Sequence, residues 1–333
     1  MAISLRARPT VPGSKVLAYG GARGDLDVPN DDIVGPIDSS DEWIRKRTGI
    51  ISRTRASAEV GVLDLAERAA REAVERSGVA ATDIDVIIVS TISFPYVTPS
   101  LSSLLGAKLG NPEVIAYDIS AACAGFCYGI GQADALIRSG TARNVLVVGA
   151  EKLSDFISPT DRSISFLLGD GAGAAVVGAS ETPMIGPTLW GSDGENWDTI
   201  RMNGSLIDFR DGKIDWPTIE QDGRTVFRWA VWHTADMIRK MLDEAGLTVE
   251  DIDVFVPHQA NIRIIDELVK QLKLPERVVV ARDIVHTGNT SAASVPLATH
   301  ALIESGEATS GDVVLQIGFG AGLVYAGQVL VLP

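Results

Sequence analysis

The chain is poor in sulfur, in aromatic residues and in basic charge. Its two cysteines, Cys123 and Cys127, cannot build a disulfide framework. Four apart on one helix, they are also poorly placed to bridge each other. The four histidines (His233, His258, His286, His300) show no ligand spacing around that pair, so no metal site is expected. Lys and Arg number 29 against 43 Asp and Glu, a net charge of −14. General nucleic-acid affinity needs a basic face and adhesion to anionic membranes needs basic clusters, so neither is expected. No apolar run reaches membrane-spanning length, and Met1 to Pro9 lacks the apolar stretch of a signal peptide. A cytoplasmic protein is expected, in which the Asn289-Thr290-Ser291 glycosylation triplet has no role. What is present is a 46% apolar, 22% charged composition over 333 residues: globular, with room for one large or two medium domains.

The chain is written twice. Residues 70–90 (AREAVERSGVAATDIDVIIVS) and 238–258 (IRKMLDEAGLTVEDIDVFVPH) share an amphipathic helix, a glycine stop and Asp-Ile-Asp-Val entering an apolar strand. Gly78 matches Gly246 and Asp83 matches Asp251, each 168 positions on, which sets Ser90 opposite His258. A second pair, Ala135–Gly140 and Ala301–Gly306, is 166 apart; carried back, that offset sets Cys123 opposite Asn289. Each copy then enters an apolar strand, at Val145 or Val313. Alternating strand and helix units in duplicate predict a layered α/β fold; if a pseudo-twofold axis relates the copies, equivalent turns meet near it and Cys123, Asn289 and His258 converge, the favoured reading over a duplicated scaffold whose matching turns are merely similar loops. The halves are expected at 1–182 and 226–333. Between them, 183–225 is broken by Gly-rich turns and interspersed with Trp190, Trp197, Phe209 and Trp216; it reads either as cover for a substrate channel or as an ordinary linker.

Cys123 lies where the Val114–Tyr117 run, read as a buried strand, gives way to a helix from Ala124 to Arg138. At that helix N-terminus the unpaired N–H groups favour a thiolate, and the flanking Ala121, Ala122, Ala124 and Gly125 leave room for a substrate. Cysteine is equally a common core residue. His258 directly follows an apolar strand, and Asn289 sits at a small-residue turn where an N-cap is the plain reading. Ile317–Leu323 is a glycine-rich turn able to offer N–H donors. A Gly-x-Gly-x-Gly run at Gly169 reads as closing a strand turn.

Taken together, these motifs resemble the β-ketoacyl-acyl carrier protein synthase III family of the thiolase superfamily, over essentially the whole chain. The resemblance is carried by Ala121–Phe126, Pro257–Asn261, His286–Pro296, Gly318–Gly322, Ser40–Ile50 and Gly169–Ala174. It implies a thiolase-like fold, two pseudo-twofold-related βαβαβ halves in a five-layered α-β-α-β-α arrangement. It implies that Cys123 takes the acyl group of an acyl-CoA. Malonyl-acyl carrier protein then decarboxylates and its carbanion attacks the acyl-cysteine, initiating fatty acid synthesis. His258 and Asn289 would hydrogen-bond the malonyl thioester carbonyl, Gly320 and Ala321 with the N–H of Cys123 would hold oxyanions, and Phe319 would shield the site. No cofactor is implied; acyl-CoA is a substrate.

The resemblance also places Trp43 and Arg162 about the adenine of CoA and Arg47 near phosphate. Arg263 and Lys270, seven apart and so on one helix face, are candidates for docking an acidic carrier protein; a solvated helix face is the equal alternative. A homodimer is implied. Cys-His-Asn rather than Cys-His-His fits priming synthases and plant-type polyketide synthases, the latter usually longer. Thr98 stands where some members carry a bulky aromatic that lines the acyl pocket of the partner subunit, from which a roomier acyl pocket taking branched or medium starters is expected. Ala321 replaces a glycine and Gln221 a methionine common in the family. The competing readings are a related synthase priming a polyketide or other specialised pathway, and a non-catalytic acyl-CoA-binding protein on the same fold, against which the intact triad argues.

Overall fold

The computed structural model describes residues 8–333. Ten of its strands form two five-stranded sheets of one plan. The first holds β1 (Gly13–Arg23), β2 (Val86–Ser90), β3 (Ile115–Ile119), β4 (Asn144–Lys152) and β5 (Asp170–Ser180), in the spatial order β3-β2-β4-β5-β1. The second holds β6 (Leu189–Ser192), β7 (Val254–Pro257), β8 (Val279–Val280), β9 (Val313–Gly320) and β10 (Val324–Val331), in the order β8-β7-β9-β10-β6. In both, the first two junctions are parallel and the last two antiparallel. The segment between the halves therefore supplies β6, the edge strand matching β1.

The helices that matter to the site and the layers are α1 (Asp41–Thr48), α2 (Val62–Ser77), α3 (Leu101–Lys108), α4 (Gly125–Arg138), α5 (Gly223–Ala245), α6 (Ile262–Leu272) and α7 (Ser294–Ser305). A central core joins Phe126, Ile130 and Ile137 of α4 and Val295 and Leu302 of α7 to Val147 of β4 and Val314 of β9, so these two helices lie between the sheets. Alanines of α2 and leucines of α3 cover the outer face of the first sheet. Trp229, Ile238 and Leu242 of α5 with Ile264 and Leu268 of α6 cover the outer face of the second. The result is the expected five layers, with apolar strands buried on both faces.

The repeated motif has a structural cause in both copies. Gly78 and Gly246 end α2 and α5 in the left-handed conformation (φ 70° and 69°), which glycine adopts without a Cβ penalty. The second aspartate of each Asp-Ile-Asp then ties the neighbouring strand. Asp85 Oδ2 accepts from Arg143 N (2.7 Å) and Asn144 N (3.0 Å), and Asp253 Oδ2 from Val313 N (3.0 Å). A carboxylate on backbone N–H groups is a strong pairing, and it sets the registers of β2 on β4 and of β7 on β9.

Three details differ from the sequence reading. β3 is an edge strand, not a buried one: Ile115 is 54% exposed. The Gly169–Ala174 run is not a turn but the start of β5, where glycine is needed for close packing; a Cβ on Gly173 would lie 2.7 Å from Pro296 of α7. The 166-residue offset also fails at the turn before the central helices. Both copies enter through one 3-10 turn, Ala122–Ala124 or Ser291–Ala293, whose first residue has positive φ (43° and 48°). Ala122 thus corresponds to Ser291 and Cys123 to Ala292, with Asn289 upstream. The slip arises because Gly125 to Gly140 is longer than Ser294 to Gly306.

Candidate active site

A cavity of about 1060 Å³ opens between the halves, and Cys123, His258 and Asn289 all line it. Phe319, Gly320 and Ala321 line it too. Its volume is at the upper end for small-molecule sites.

Cys123 sits half-buried in the 3-10 turn that leads into α4. Gly320, the last residue of β9, faces it: a Cβ there would fall 2.9 Å from Cys123 Sγ and 3.2 Å from its N. Only glycine leaves the sulfur room. Burial pushes the Cys123 thiol up to about 12, against smaller lowering contributions from Ser291 and its own N–H. Desolvation thus opposes the pull of the helix N-terminus toward a thiolate. Cys127, one turn on, is fully buried in the central core and faces away from this chemistry.

His258 follows β7, its N–H bonded to Ile317 O of β9 (2.7 Å). Burial lowers its pKa to about 3, so the ring is neutral. Its Nδ1 lies 2.7 Å from Ser294 Oγ, which itself accepts from Gln259 N (3.4 Å). The serine hydrogen is then free to go to Nδ1, leaving the ring hydrogen on Nε2, which has no hydrogen-bond partner among the described residues. Phe319 packs edge-on against the imidazole, 5.3 Å between centroids. Sequence reasoning missed Ser294, although it lies in a motif already singled out; it meets His258 across a separation of 36 residues that includes α6 and β8, which leaves no spacing signal.

Asn289 is held on both sides of its backbone: its N–H donates to Leu167 O (2.7 Å) and its carbonyl accepts from Gly169 N (2.9 Å). Oδ1 accepts from Ser291 N (2.8 Å), so it does not cap α7 directly but caps the 3-10 turn before it. The oxygen being used, Nδ2 is the end free to donate. Imidazole and carboxamide thus both present N–H donors to one cavity.

The mouth is basic although the protein is acidic. Arg47, Arg162, Arg224, Arg228 and Arg263 line the cavity against one carboxylate, Asp222, and Asp222 is engaged capping α5 through Arg224 N and Thr225 N. Such a concentration of one sign draws in anionic ligands. Trp43 of α1 carries Arg47 at 4.7 Å and Arg162 at 4.9 Å from its ring centroid. Asn261, the N-cap of α6, donates to Arg47 O (3.1 Å), so the mouth is tied to the strand end bearing His258. Ile200, Ile219 and Gln221 of the connecting segment also line the cavity, and Trp216 anchors that segment through Asp155 O (2.8 Å).

Arg263 and Lys270 are both exposed on α6, but only Arg263 reaches the cavity, its guanidinium 5.3 Å from the Phe227 centroid. Thr98 lies on an exposed loop with Tyr96 and Val97 and does not line this chain's cavity. Glu72, His300 and Glu304 cluster elsewhere, the two carboxylates ion-paired with Arg76 and His300 Nε2 lying 3.1 Å from Glu72 Oε1. No helix among the described residues is long and apolar enough to cross a membrane.

Comparison with known proteins agrees with this geometry. The profile of the 3-oxoacyl-[acyl-carrier-protein] synthase III family matches residues 117–194, and that of its C-terminal part matches 242–332. A β-ketoacyl-[acyl-carrier-protein] synthase III of Kocuria rhizophila is 56% identical over 96% of this chain and 97% of its own. One from Streptomyces glaucescens is 50% identical over 97% of each. Among solved structures, the priming β-ketosynthase of the R1128 polyketide biosynthetic pathway superposes with a TM-score of 0.97 at 46% identity, covering 99% of each chain. The 3-oxoacyl-[acyl-carrier-protein] synthase III of Aquifex aeolicus gives 0.89 at 37%, covering 96% of this chain and 100% of that one. The chain belongs to the β-ketoacyl-acyl carrier protein synthase III family of the thiolase superfamily.

Proposed function

We propose that this chain is a condensing acyltransferase that joins an acyl-CoA starter to malonyl-acyl carrier protein with loss of CO2, initiating fatty acid synthesis. Cys123 attacks the acyl-CoA thioester, and the N–H groups of Cys123 and of the Gly320-Ala321 turn receive the oxyanion of the tetrahedral intermediate. One such donor contributes ~3 kcal/mol to lowering the barrier. CoA leaves and the acyl group stays on sulfur. The malonyl thioester then enters, its carbonyl accepting from His258 Nε2 and Asn289 Nδ2. As CO2 departs, these two donors stabilise the enolate, whose carbon attacks the acyl-cysteine. A neutral imidazole suits this role, since it donates a hydrogen bond without giving up a proton that would quench the enolate. Phe319 keeps the decarboxylating face dry.

The observation that carries the reading is that His258 and Asn289 each have one polar end tied inside the protein and one nitrogen left for the cavity where Cys123 is. Trp43 and Arg162 suit the adenine of CoA, with Arg47 and the remaining arginines for its phosphates. Arg263 and Lys270, roughly 10 Å apart along α6, suit an acidic carrier protein, and the protein works as a homodimer in the cytoplasm. The roomy acyl pocket implied by Thr98 takes branched or medium starters. One observation favours a second reading, priming of a polyketide pathway: the 0.97 superposition on the R1128 priming ketosynthase. The test is formation of 3-oxoacyl-carrier protein and CO2 from malonyl-carrier protein with acetyl-, isobutyryl- and isovaleryl-CoA, using fatty acid and polyketide carrier proteins in parallel. Product with the fatty acid carrier supports the proposal; product with the polyketide carrier alone supports the second reading. No product with either overturns both.

A further inference from the structure

Arg53 is the largest fully buried side chain among the described residues, and the condensation gives it no part. It ends on neither a carboxylate nor solvent. It stands in the short strand Ser52–Arg55, which pairs with Leu26–Pro29. Burial pulls its pKa down to about 10, which still leaves the guanidinium charged at neutral pH. Nη1 donates to Val28 O (2.9 Å), Nη2 donates to Asn30 Oδ1 (2.6 Å) and Phe166 O (3.0 Å), and Nε has no partner. A buried charge held only by neutral oxygens is unfavourable for folding. Stability alone is therefore a weak reason for an arginine here, and what its fork holds is a stronger one.

The fork closes on the segment that carries Asn289. Next to its acceptor Phe166 O comes Leu167 O, which takes the Asn289 N–H (2.7 Å), and then Gly169 N, which donates to Asn289 O (2.9 Å). Leu168 pairs with Asn289 as a parallel bridge, so residues 166–169 form a rail along which the Asn289 backbone lies. Arg53 also backs onto the preceding residue. A Cβ on Gly288 would fall 2.8 Å from Arg53 Cβ and 2.8 Å from Leu167 O, and its φ of 68° is one glycine adopts without strain. Ile51, just before the Arg53 strand, donates from its N–H to Val285 O (2.8 Å) in the short helix leading to that turn. The other site groups are held differently. His258 hangs from β9 and is set by Ser294, and Cys123 is packed by Gly318 and Gly320.

We propose that Arg53 is the positioning residue for Asn289: its guanidinium fixes the Phe166–Gly169 rail, and the rail aims the carboxamide at the malonyl carbonyl. Asn289 Oδ1 is already taken by Ser291 N (2.8 Å), so where Nδ2 points is decided by where the backbone is held. The same guanidinium reaches the cavity mouth. Its partner Asn30 donates from Nδ2 to Asp41 Oδ1 (2.8 Å) at the start of α1, whose Trp43 lies edge-on to Phe166, 5.2 Å between centroids. One buried charge thus joins the edge of the cavity that suits CoA to the group that serves the malonyl thioester.

This inference rests on the proposed role of Asn289 in decarboxylation. The experiment reads release of labelled CO2 from malonyl-carrier protein beside intact-mass acylation at saturating acetyl-CoA. Wild type, Arg53→Lys, Asn289→Ala and the double variant are compared. Arg53→Lys keeps the charge and loses the planar fork. CO2 release there falls about 10- to 100-fold, the effect of a reacting group displaced by up to ~1 Å, while the acylation rate constant stays within about twofold. Added to Asn289→Ala, Arg53→Lys lowers CO2 release by no more than about a further twofold, because the group it positions is gone. CO2 release in Arg53→Lys within about threefold of wild type, equal losses in both steps, or full additivity in the double variant overturns the positioning role. If the wild type releases no CO2, or Asn289→Ala releases it as fast as wild type, the assignment of Asn289 itself fails, and this inference with it. Should Arg53→Lys not fold, Asn30→Ala takes its place, since it leaves the guanidinium both carbonyls. A loss of about threefold or more confined to CO2 release then supports the proposal, and no loss or an equal loss in both steps overturns it. Failure of both variants to fold also overturns it, since Arg53 would then supply stability alone.

Discussion

Replacing Ser294 by alanine tests how the imidazole is set. The hydroxyl lies 2.7 Å from His258 Nδ1 and takes Gln259 N–H on its oxygen, so its hydrogen holds Nδ1 as an acceptor and keeps the ring hydrogen on Nε2. Both residues are at most 2% exposed, so no bulk water replaces the lost partner. An unpaired buried polar atom costs ~1–3 kcal/mol. The ring relieves part of that cost by moving its hydrogen to Nδ1 in a fraction of molecules, which removes the donor aimed at the malonyl carbonyl. A change of ~1–2 kcal/mol in that balance lowers decarboxylation about 5- to 30-fold. Attack on acyl-CoA does not use the donor, so acylation of Cys123 stays within about twofold. Release of labelled CO2 from malonyl-carrier protein, read beside intact-mass acylation, separates the two steps, and nitrogen NMR of the His258 ring reports the tautomer directly. Unchanged CO2 release, or equal losses in both steps, would refute the reasoning.

Three further outcomes follow from the geometry. Gly320→Ala places a methyl 2.9 Å from Cys123 Sγ, so acylation of the sulfur falls by at least about 100-fold; acylation near the wild-type rate would contradict the packing described. Trp43→Ala removes the ring on which the adenine of CoA stacks, and at ~1–2 kcal/mol for a lost base–aromatic stack the KM for acyl-CoA rises about 5- to 30-fold with kcat little moved. Steady-state kinetics decide it, and a fall confined to kcat would count against CoA binding there. The third concerns stability and pH. Burial raises Glu151 from 4.5 to about 7, so between those values the unfolded chain holds fewer protons and stability falls as pH rises. His258, lowered from 6.5 to about 3, acts in the opposite direction: stability falls as pH drops through that window. Removing the titration in Glu151→Gln therefore raises stability at pH 8 relative to pH 4 by on the order of 3 kcal/mol against wild type, measured by denaturant titration. An unchanged difference sinks the assignment of a raised carboxyl.

The strand order and the site were legible in the sequence to different depths. The Asp-Ile-Asp repeats, their glycine stops and the strands they introduce were readable because each is a local backbone device: a left-handed glycine, then a carboxylate on strand N–H groups. Cys123, His258 and Asn289 were readable because each stands in a distinctive local motif, the first two where a strand gives way to a helix and the third at the turn before α7. The exact equivalence of turns was not, since the shorter path from Ser294 to Gly306 is invisible until both helices are placed. The Gly169 run was misread because its glycines answer to α7, a helix more than a hundred residues away. The burial of Cys123 was not legible for a related reason: the helix N-terminus is written in sequence, whereas the burial that opposes its thiolate is tertiary. Ser294 and Glu151 are single polar residues whose meaning comes only from what surrounds them.

The most direct measurement mixes the protein with an acyl-CoA, records its intact mass, and locates the adduct by peptide mapping. A stoichiometric acyl group on Cys123 that is absent in Cys123→Ala, and is retained in His258→Ala and Asn289→Ala while both stop releasing CO2, is the predicted result. An adduct elsewhere, none at all, or full condensation without His258 and Asn289 would contradict the account.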